Sequence, residues 1–119
     1  MESPLITVIT VSYNAASSIE QTIISVINQT YPHIEYIIID GGSTDNTVDI
    51  IKKYADKISY WVSEPDKGIY DAMNKGIKIA AGKYTLFMNV NDTFYASSSI
   101  AEVCNLMEKY DSQHDAYYG

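Results

Sequence analysis

Leu5-Ile6-Thr7-Val8-Ile9-Thr10-Val11-Ser12-Tyr13 is an unbroken β-rich run without a single charged residue. A strand with one wet face alternates strongly polar with apolar positions. A run like this one suits a strand covered on both faces, as in a parallel sheet flanked by helices. The residues that follow change period. Ser17 and Glu20 have the spacing of a capping box, and Ile19, Ile23, Val26 and Ile27 recur at helical intervals, which predicts a helix to about Asn28. Beyond the Tyr31-Pro32 break, Ile34 to Asp40 is a second Ile-rich strand that ends on a carboxylate and two glycines.

The alternation continues to the end of the chain. Ser43, Thr44 and Asp45 are candidate caps for a helix whose inner face is Val48, Ile51 and Ala55, with Ile50 and Tyr54 beside them. Ile58 to Ser63 is a shorter strand, and Pro65 to Gly68 a turn. Ile69, Ala72, Met73, Gly76, Ile77 and Ala80 then mark another helical face, closed by Gly82 as a C-terminal glycine. Tyr84 to Asn89 returns to strand, followed by a polar loop at Asn91 to Thr93. Ser97, Ser98 or Ser99 caps a helix carrying Ile100, Val103, Cys104 and Met107, and Ala116 to Gly119 starts a fifth strand. Strand and helix alternating in this way imply an α/β fold, a mainly parallel sheet with helices on both faces. Ligands in such sheets sit at the carboxyl ends of the strands. That rule lines up Tyr13-Asn14, Asp40-Gly41-Gly42, Glu64 to Gly68, and Asn91-Asp92 along one rim.

The totals bound what that rim can do. With 119 residues the chain is expected to form a single domain, 1–119. Hydrophobic residues make up 46% and charged residues 19%, the balance of a folded globular protein. Eight Lys and Arg face fifteen Asp and Glu, a net charge of −7, which argues against nucleic acid as a partner. The one cysteine, Cys104, has no second thiol to pair with, so neither a disulfide framework nor a thiolate metal site is expected. Met1 to Pro4 lacks the basic and apolar regions of a signal peptide, and no apolar run is long enough to span a bilayer. The expected location is the cytoplasm, with peripheral association to a membrane compatible with it.

Three clusters on the rim carry polar chemistry. Asp40-Gly41-Gly42-Ser43-Thr44-Asp45 joins a strand-terminal carboxylate to glycines that let a ligand approach the backbone; taken alone it also fits a tight strand-to-helix turn. In Glu64-Pro65-Asp66-Lys67-Gly68, Lys67 can face phosphate and Asp66 a base or ribose; taken alone it also fits a solvated charged turn. Asn89-Val90-Asn91-Asp92 offers oxygen ligands, Asp92 above all, to a hard divalent cation shared with a diphosphate; taken alone it also fits a turn. His33 and His114 lack the spacing of a metal pair. The sequence has no Gly-x-Gly-x-x-Gly after its first strand, no phosphate-loop Gly-Lys-Ser/Thr and no Gly-x-Ser-x-Gly.

In order and spacing, Ile6 to Asn14, Ile39 to Thr47, Ser63 to Gly76, and Gly82-Lys83-Tyr84 with Asn89 to Asp92 resemble the opening of family-2 glycosyltransferases. The likeness runs from Leu5 to Gly119. It implies a GT-A, Rossmann-like nucleotide-binding half and a site for a nucleotide-diphosphate sugar. The residues it assigns to the nucleotide are Val11, Tyr13, Asn14, Asp40, Gly41, Ser43, Asp66, Lys67, Gly68 and Asn91. Asp92 is the expected ligand of a divalent metal, Mn or Mg, which bridges the phosphates and stabilises the departing diphosphate.

The same resemblance implies inverting transfer to a glycan or lipid-linked acceptor in polysaccharide synthesis. It also implies an acceptor half beyond Gly119, so the chain reads as truncated before that half, with an exposed edge through which two copies could pair. No catalytic base stands out. The sequence departs from the family pattern at Gly41, where many relatives carry a carboxylate that reads the base, and at Asn91, where many carry the first carboxylate of an Asp-x-Asp motif. Those departures keep open a second reading, a binding-only module.

Overall fold

The computed structural model describes residues 4–88, 90 and 99–113, with side chains as far as Lys109. The elements are β1 (Ile6–Ser12), α1 (Ile19–Ile27), β2 (Ile34–Asp40), α2 (Thr47–Lys53) with a 3-10 turn at Ala55–Lys57, β3 (Tyr60–Ser63), α3 (Ile69–Ile79), β4 (Tyr84–Phe87) and α4 (Ser99–Gln113). The four strands form one parallel sheet in the order β3-β2-β1-β4. The chain therefore builds outward from β1 to β3, then returns to place β4 on the other side of β1. The expected fifth strand at Ala116 lies outside the described residues.

Both central strands are covered on both faces, as the opening run predicts. Ile6, Val8, Tyr36 and Ile38 pack beneath α1, α2 and α4, meeting Ile19, Ile23, Val26, Ile51, Ile100 and Cys104. Ile9, Ile37 and Ile39 face the other way and pack beneath Ala72 of α3. Each fully buried Ile or Val contributes about 1.5–3 kcal/mol through area removed from water. Tyr36 is a bulky polar side chain sealed in this core, and its hydroxyl pairs with Thr10 Oγ1 at 2.8 Å. Burial raises the Tyr36 phenol above its ordinary range, so it stays a neutral partner.

Local details differ from the sequence reading for identifiable reasons. Ser18 occupies the start of α1 without a side-chain cap, because the turn is closed by the Ala15 carbonyl, which accepts from the Ser18 and Ile19 amides. Glu20 instead accepts from Tyr54 Oη at 2.6 Å and Lys53 Nζ at 2.9 Å, tying α1 to the end of α2. The inner face of α3 is narrower than expected. Ala72 and Gly76 are buried, whereas Ile69 and Ile77 are about half exposed. The helix lies so close to the sheet that a Cβ on Gly76 would stand 2.8 Å from Ile9 Cγ2, which turns the larger side chains outward. Gly82 is not a left-handed helix cap. Its amide donates to Thr7 Oγ1 at 2.9 Å, and a Cβ there would come within 2.6 Å of the Thr7 backbone nitrogen.

Candidate functional site

The sheet register aligns Ser12, Asp40 and Ser63 in one row across the carboxyl ends of β1, β2 and β3. Asp40 is fully buried at the centre of that row. Its Oδ1 accepts from Ser12 Oγ at 2.7 Å and Ser43 Oγ at 2.6 Å. Its Oδ2 accepts from the Ser43 amide at 2.8 Å, Ser63 Oγ at 2.8 Å and the Gly42 amide at 3.1 Å. Burial alone pushes the Asp40 carboxyl up, but the donors from Ser43, Ser12 and Ser63 outweigh it and hold the group below the usual carboxylate range. Asp40 is thus an ionised hub joining three strands and the loop after β2.

A second set of bonds ties that loop to the one after β1. Asn14 takes the left-handed backbone conformation, φ 46°, which Asn tolerates better than most residues. Its amide donates to Ser43 Oγ at 2.8 Å, and its Oδ1 accepts from the Thr44 amide at 2.8 Å. The Ala15 amide donates to Thr47 Oγ1 at 2.8 Å, and Asp45 Oδ1 accepts from the Thr47 amide at 2.9 Å, so Asp45 anchors the first turn of α2. Gly42, at φ +86°, completes the turn, and a Cβ on it would meet the Pro65 nitrogen at 3.2 Å.

Above this framework opens a cleft of about 450 Å³. One wall is Val11, Ser12, Tyr13 and Gly41, and the other is Pro65, Asp66, Gly68 and Ile69 at the start of α3. Tyr13 is 62% exposed, so its ring is free to stack. Asp66 Oδ1 accepts from the Gly68 amide at 3.0 Å. Lys75, a turn and a half into α3, braces the outer rim: its Nζ lies 3.1 Å from Glu64 Oε1 and 3.9 Å from Asp71 Oδ2. Glu64 holds the Lys75 ammonium above its ordinary pKa.

Of the residues expected at the site, Val11, Tyr13, Gly41, Asp66 and Gly68 line the cleft. Asn14, Asp40 and Ser43 lie in the framework that shapes it. Lys67 is exposed on the turn outside the lining, its amide bonded to Asp71 Oδ2 at 3.1 Å. Asn91 and Asp92 lie outside the described residues. Just before them, the Val90 carbonyl accepts from Thr22 Oγ1 at 2.6 Å, which fixes the approach to that segment against α1. Among the described residues no cluster of three or more His, Cys, Asp or Glu is placed to hold a metal ion. Ser12, Pro65 and Ile69 are lining residues that the sequence reading did not assign. Lys75 was missed as well, although its i, i+4 spacing from Asp71 is a usable signal.

Compared with known families, residues 7–116 match the family described as glycosyl transferase family 2. The chain belongs to that family. Its sheet, with helices on both faces, is the GT-A form of the Rossmann-like fold. Among sequence relatives of this family 2 domain, a PGL/p-HBAD biosynthesis glycosyltransferase of Mycobacterium bovis is 31% identical over 100% of the chain and 47% of its own length. The putative teichuronic acid biosynthesis glycosyltransferase TuaG of Bacillus subtilis is 38% identical over 89% of the chain and 43% of its own length. The chain thus spans less than half the length of these curated relatives.

Among solved structures, S. aureus TarS in complex with UDP superposes with a TM-score of 0.80 at 25% identity, over 88% of the chain and 32% of that structure. The mannosyltransferase PcManGT of Pyrobaculum calidifontis, in complex with GDP-Man and Mn2+, shares the fold at a TM-score of 0.78 and 24% identity, over 91% of the chain and 32% of that structure. Among the described residues of the family 2 domain, no helix is long and apolar enough to cross a membrane.

Proposed function

We propose that this domain binds a nucleotide-diphosphate sugar in the cleft between Tyr13 and Asp66 and is the donor half of a glycosyltransferase acting in glycan or polysaccharide synthesis. The observation that carries the reading is the cleft itself. It sits at the carboxyl ends of β1, β2 and β3, has apolar side chains on both walls, and carries one half-buried carboxylate. Val11, Tyr13, Pro65 and Ile69 supply surfaces for a flat ring. Asn14, Asp40 and Ser43 hold the loops that bear Gly41 and Tyr13. UDP in TarS and GDP-Man in PcManGT support a nucleotide ligand by analogy.

The metal belongs to the same proposal. Asn91 and Asp92 follow β4, and their oxygen atoms are the donor type that Mn2+ or Mg2+ prefers, with Asp92 the charged ligand and the nucleotide phosphates completing the set. A bound ion would supply Lewis-acid stabilisation of the leaving diphosphate. With Asn rather than a second carboxylate at 91, the ion depends more on those phosphates.

The decisive experiment is thermal shift with UDP, GDP, CDP and ADP, each with Mn2+, with Mg2+, and with excess chelator. Stabilisation that requires both nucleotide and metal is the expected result. No stabilisation by any nucleotide would overturn the donor reading, and equal stabilisation in chelator would remove the metal from it. The acceptor half and the general base for inverting transfer are assigned to protein beyond this unit, as the greater length of the relatives suggests. Multiple turnovers by this chain alone with simple acceptors would overturn that assignment. They would direct attention to Glu64, Asp66, Asp111 or Asp115.

A further inference from the structure

Gly41 and Asp66 come from different loops, 25 positions apart, yet a Cβ built on Gly41 would stand 2.9 Å from Asp66 Oδ2 and 3.3 Å from Asp66 Oδ1. The carboxylate of Asp66 therefore occupies the space that any side chain at position 41 would need. Its Oδ1 is engaged by the Gly68 amide at 3.0 Å. Oδ2 accepts no hydrogen bond among the described residues, and both Asp66 and Gly41 line the cleft. An acceptor atom on a half-buried residue, with no donor of its own among the described residues, is an unfilled requirement that a ligand can meet.

We propose that Asp66 is the specificity-determining residue for the base of the donor nucleotide, selecting a base with a ring N–H, and that glycine at 41 is what admits its carboxylate to the cleft. The inference rests on the nucleotide reading above. Phosphates are excluded from contact with Asp66 by like charge. The apolar walls at Val11, Pro65 and Ile69 suit a flat ring better than a sugar rich in hydroxyls. An ionised carboxylate is acceptor-only. It matches the ring N–H of uracil or guanine. Cytosine and adenine have no ring N–H on that edge and turn a ring lone pair toward the negative group instead, so an amino hydrogen reaches Oδ2 only if the base shifts from the position that uracil or guanine takes. A site built around one acceptor discriminates by what it leaves unpaired.

The test is calorimetric titration of the purified protein with UDP, GDP, CDP and ADP in excess Mn2+. The native protein is expected to favour UDP or GDP over both CDP and ADP by roughly tenfold or more, and comparing those two arms shows which ring it accepts. Asp66→Asn replaces an acceptor with a group that also donates. It should weaken the preferred nucleotide by roughly 10- to 100-fold and reduce its preference over CDP and ADP to about threefold or less. Gly41→Ala, which displaces the carboxylate without removing it, should weaken the preferred nucleotide more than CDP or ADP and so narrow the preference. It serves as the second variant if Asp66→Asn misfolds by circular dichroism. A uniform loss across all four nucleotides, or an unchanged preference in either folded variant, overturns the proposal. Binding without base preference in the native protein sinks the role of Asp66 while sparing the nucleotide reading, whereas no binding at all removes both.

Discussion

Two carboxylates flank Gly41, and the protein treats them in opposite ways. Asp40, its sequence neighbour, is fully buried and accepts from three serine hydroxyls and two amides. Asp66, which reaches Gly41 across the cleft, is half-buried and spends one oxygen on the Gly68 amide. The same functional group is saturated by its own chain in the first place and keeps an open acceptor atom at the cleft in the second. The difference lies in hydrogen-bond saturation, because a carboxylate whose lone pairs are all met by its own chain has nothing left for a ligand. Motifs that bring both kinds together conceal this division, since Asp40 and Gly41 are adjacent letters with separate duties.

The sharpest way to break the comparison is to exchange each carboxylate for its amide. Asp40→Asn turns an NH2 group toward donors in a sealed site and loses charge-assisted bonds. A cost of about 3–5 kcal/mol is expected, a large part of a typical ~5–15 kcal/mol of stability, with a melting-point drop above about 10 °C. Asp66→Asn should cost under about 1 kcal/mol. Denaturant melts of the two variants decide it, and equal losses would erase the distinction. Gly82→Ala comes next, at about 2–3 kcal/mol, because the new methyl meets the Thr7 backbone and cannot be relieved by a rotamer change. That glycine sits at the amino ends of the strands, far from the cleft. The folded fraction of the variant should therefore keep its nucleotide affinity, and a matched loss of affinity would show that fold and site are not separable.

The fold was legible because it rests on long apolar runs. Ile6 to Ser12 and Ile34 to Asp40 are buried almost throughout, as continuous runs should be, and the four strands alternate with helices as the periodicity indicates. What escaped was set by distances between segments. Nothing local in Ile69 or Ile77 says that α3 approaches the sheet through Ala72 and Gly76 and leaves both isoleucines half exposed. Glu20 has the right spacing for a cap, and only the nearness of Tyr54 and Lys53 diverts it. At the site, sequence could name Asp40, Gly41 and Asp66 but not sort them, because the sorting depends on the register that sets Ser12 and Ser63 beside Asp40. The lining role of Ser12, Pro65 and Ile69 followed from the same geometry.

A smaller effect separates the two carboxylates by pH. The Asp40 pKa is lowered in the folded protein, so its contribution is fully present above the unfolded carboxylate value of about 3.9 and is lost as pH falls through the folded value. Glu20, Asp45 and Glu108 are lowered too and act in the same direction, so the informative quantity is a difference between proteins. Stability of the native protein should fall as pH drops from about 5 toward 2, with a shallower fall in Asp40→Asn. Parallel curves would show that Asp40 is not the carboxylate whose protonation matters.

The smallest effect on stability, and the strictest check on the cleft wall, is expected from Tyr13→Ala. The side chain is 62% exposed, so truncating it removes little buried surface and leaves the sheet row of Ser12, Asp40 and Ser63 intact. The change in stability should stay within about 0.5 kcal/mol. Nucleotide binding should respond differently. An aromatic ring stacked on a base contributes about 1–3 kcal/mol, so the affinity for the preferred nucleoside diphosphate should fall by about tenfold or more. Because stacking is indifferent to the edge of the base, the loss should be similar for every nucleotide that binds. That pattern is the opposite of the base-selective change expected at Asp66, so the two walls of one cleft become distinguishable by titration alone. A melting point lowered by several degrees would move Tyr13 from the wall into the framework around Asp40. Unchanged affinity in a stable variant would place the base elsewhere on the rim.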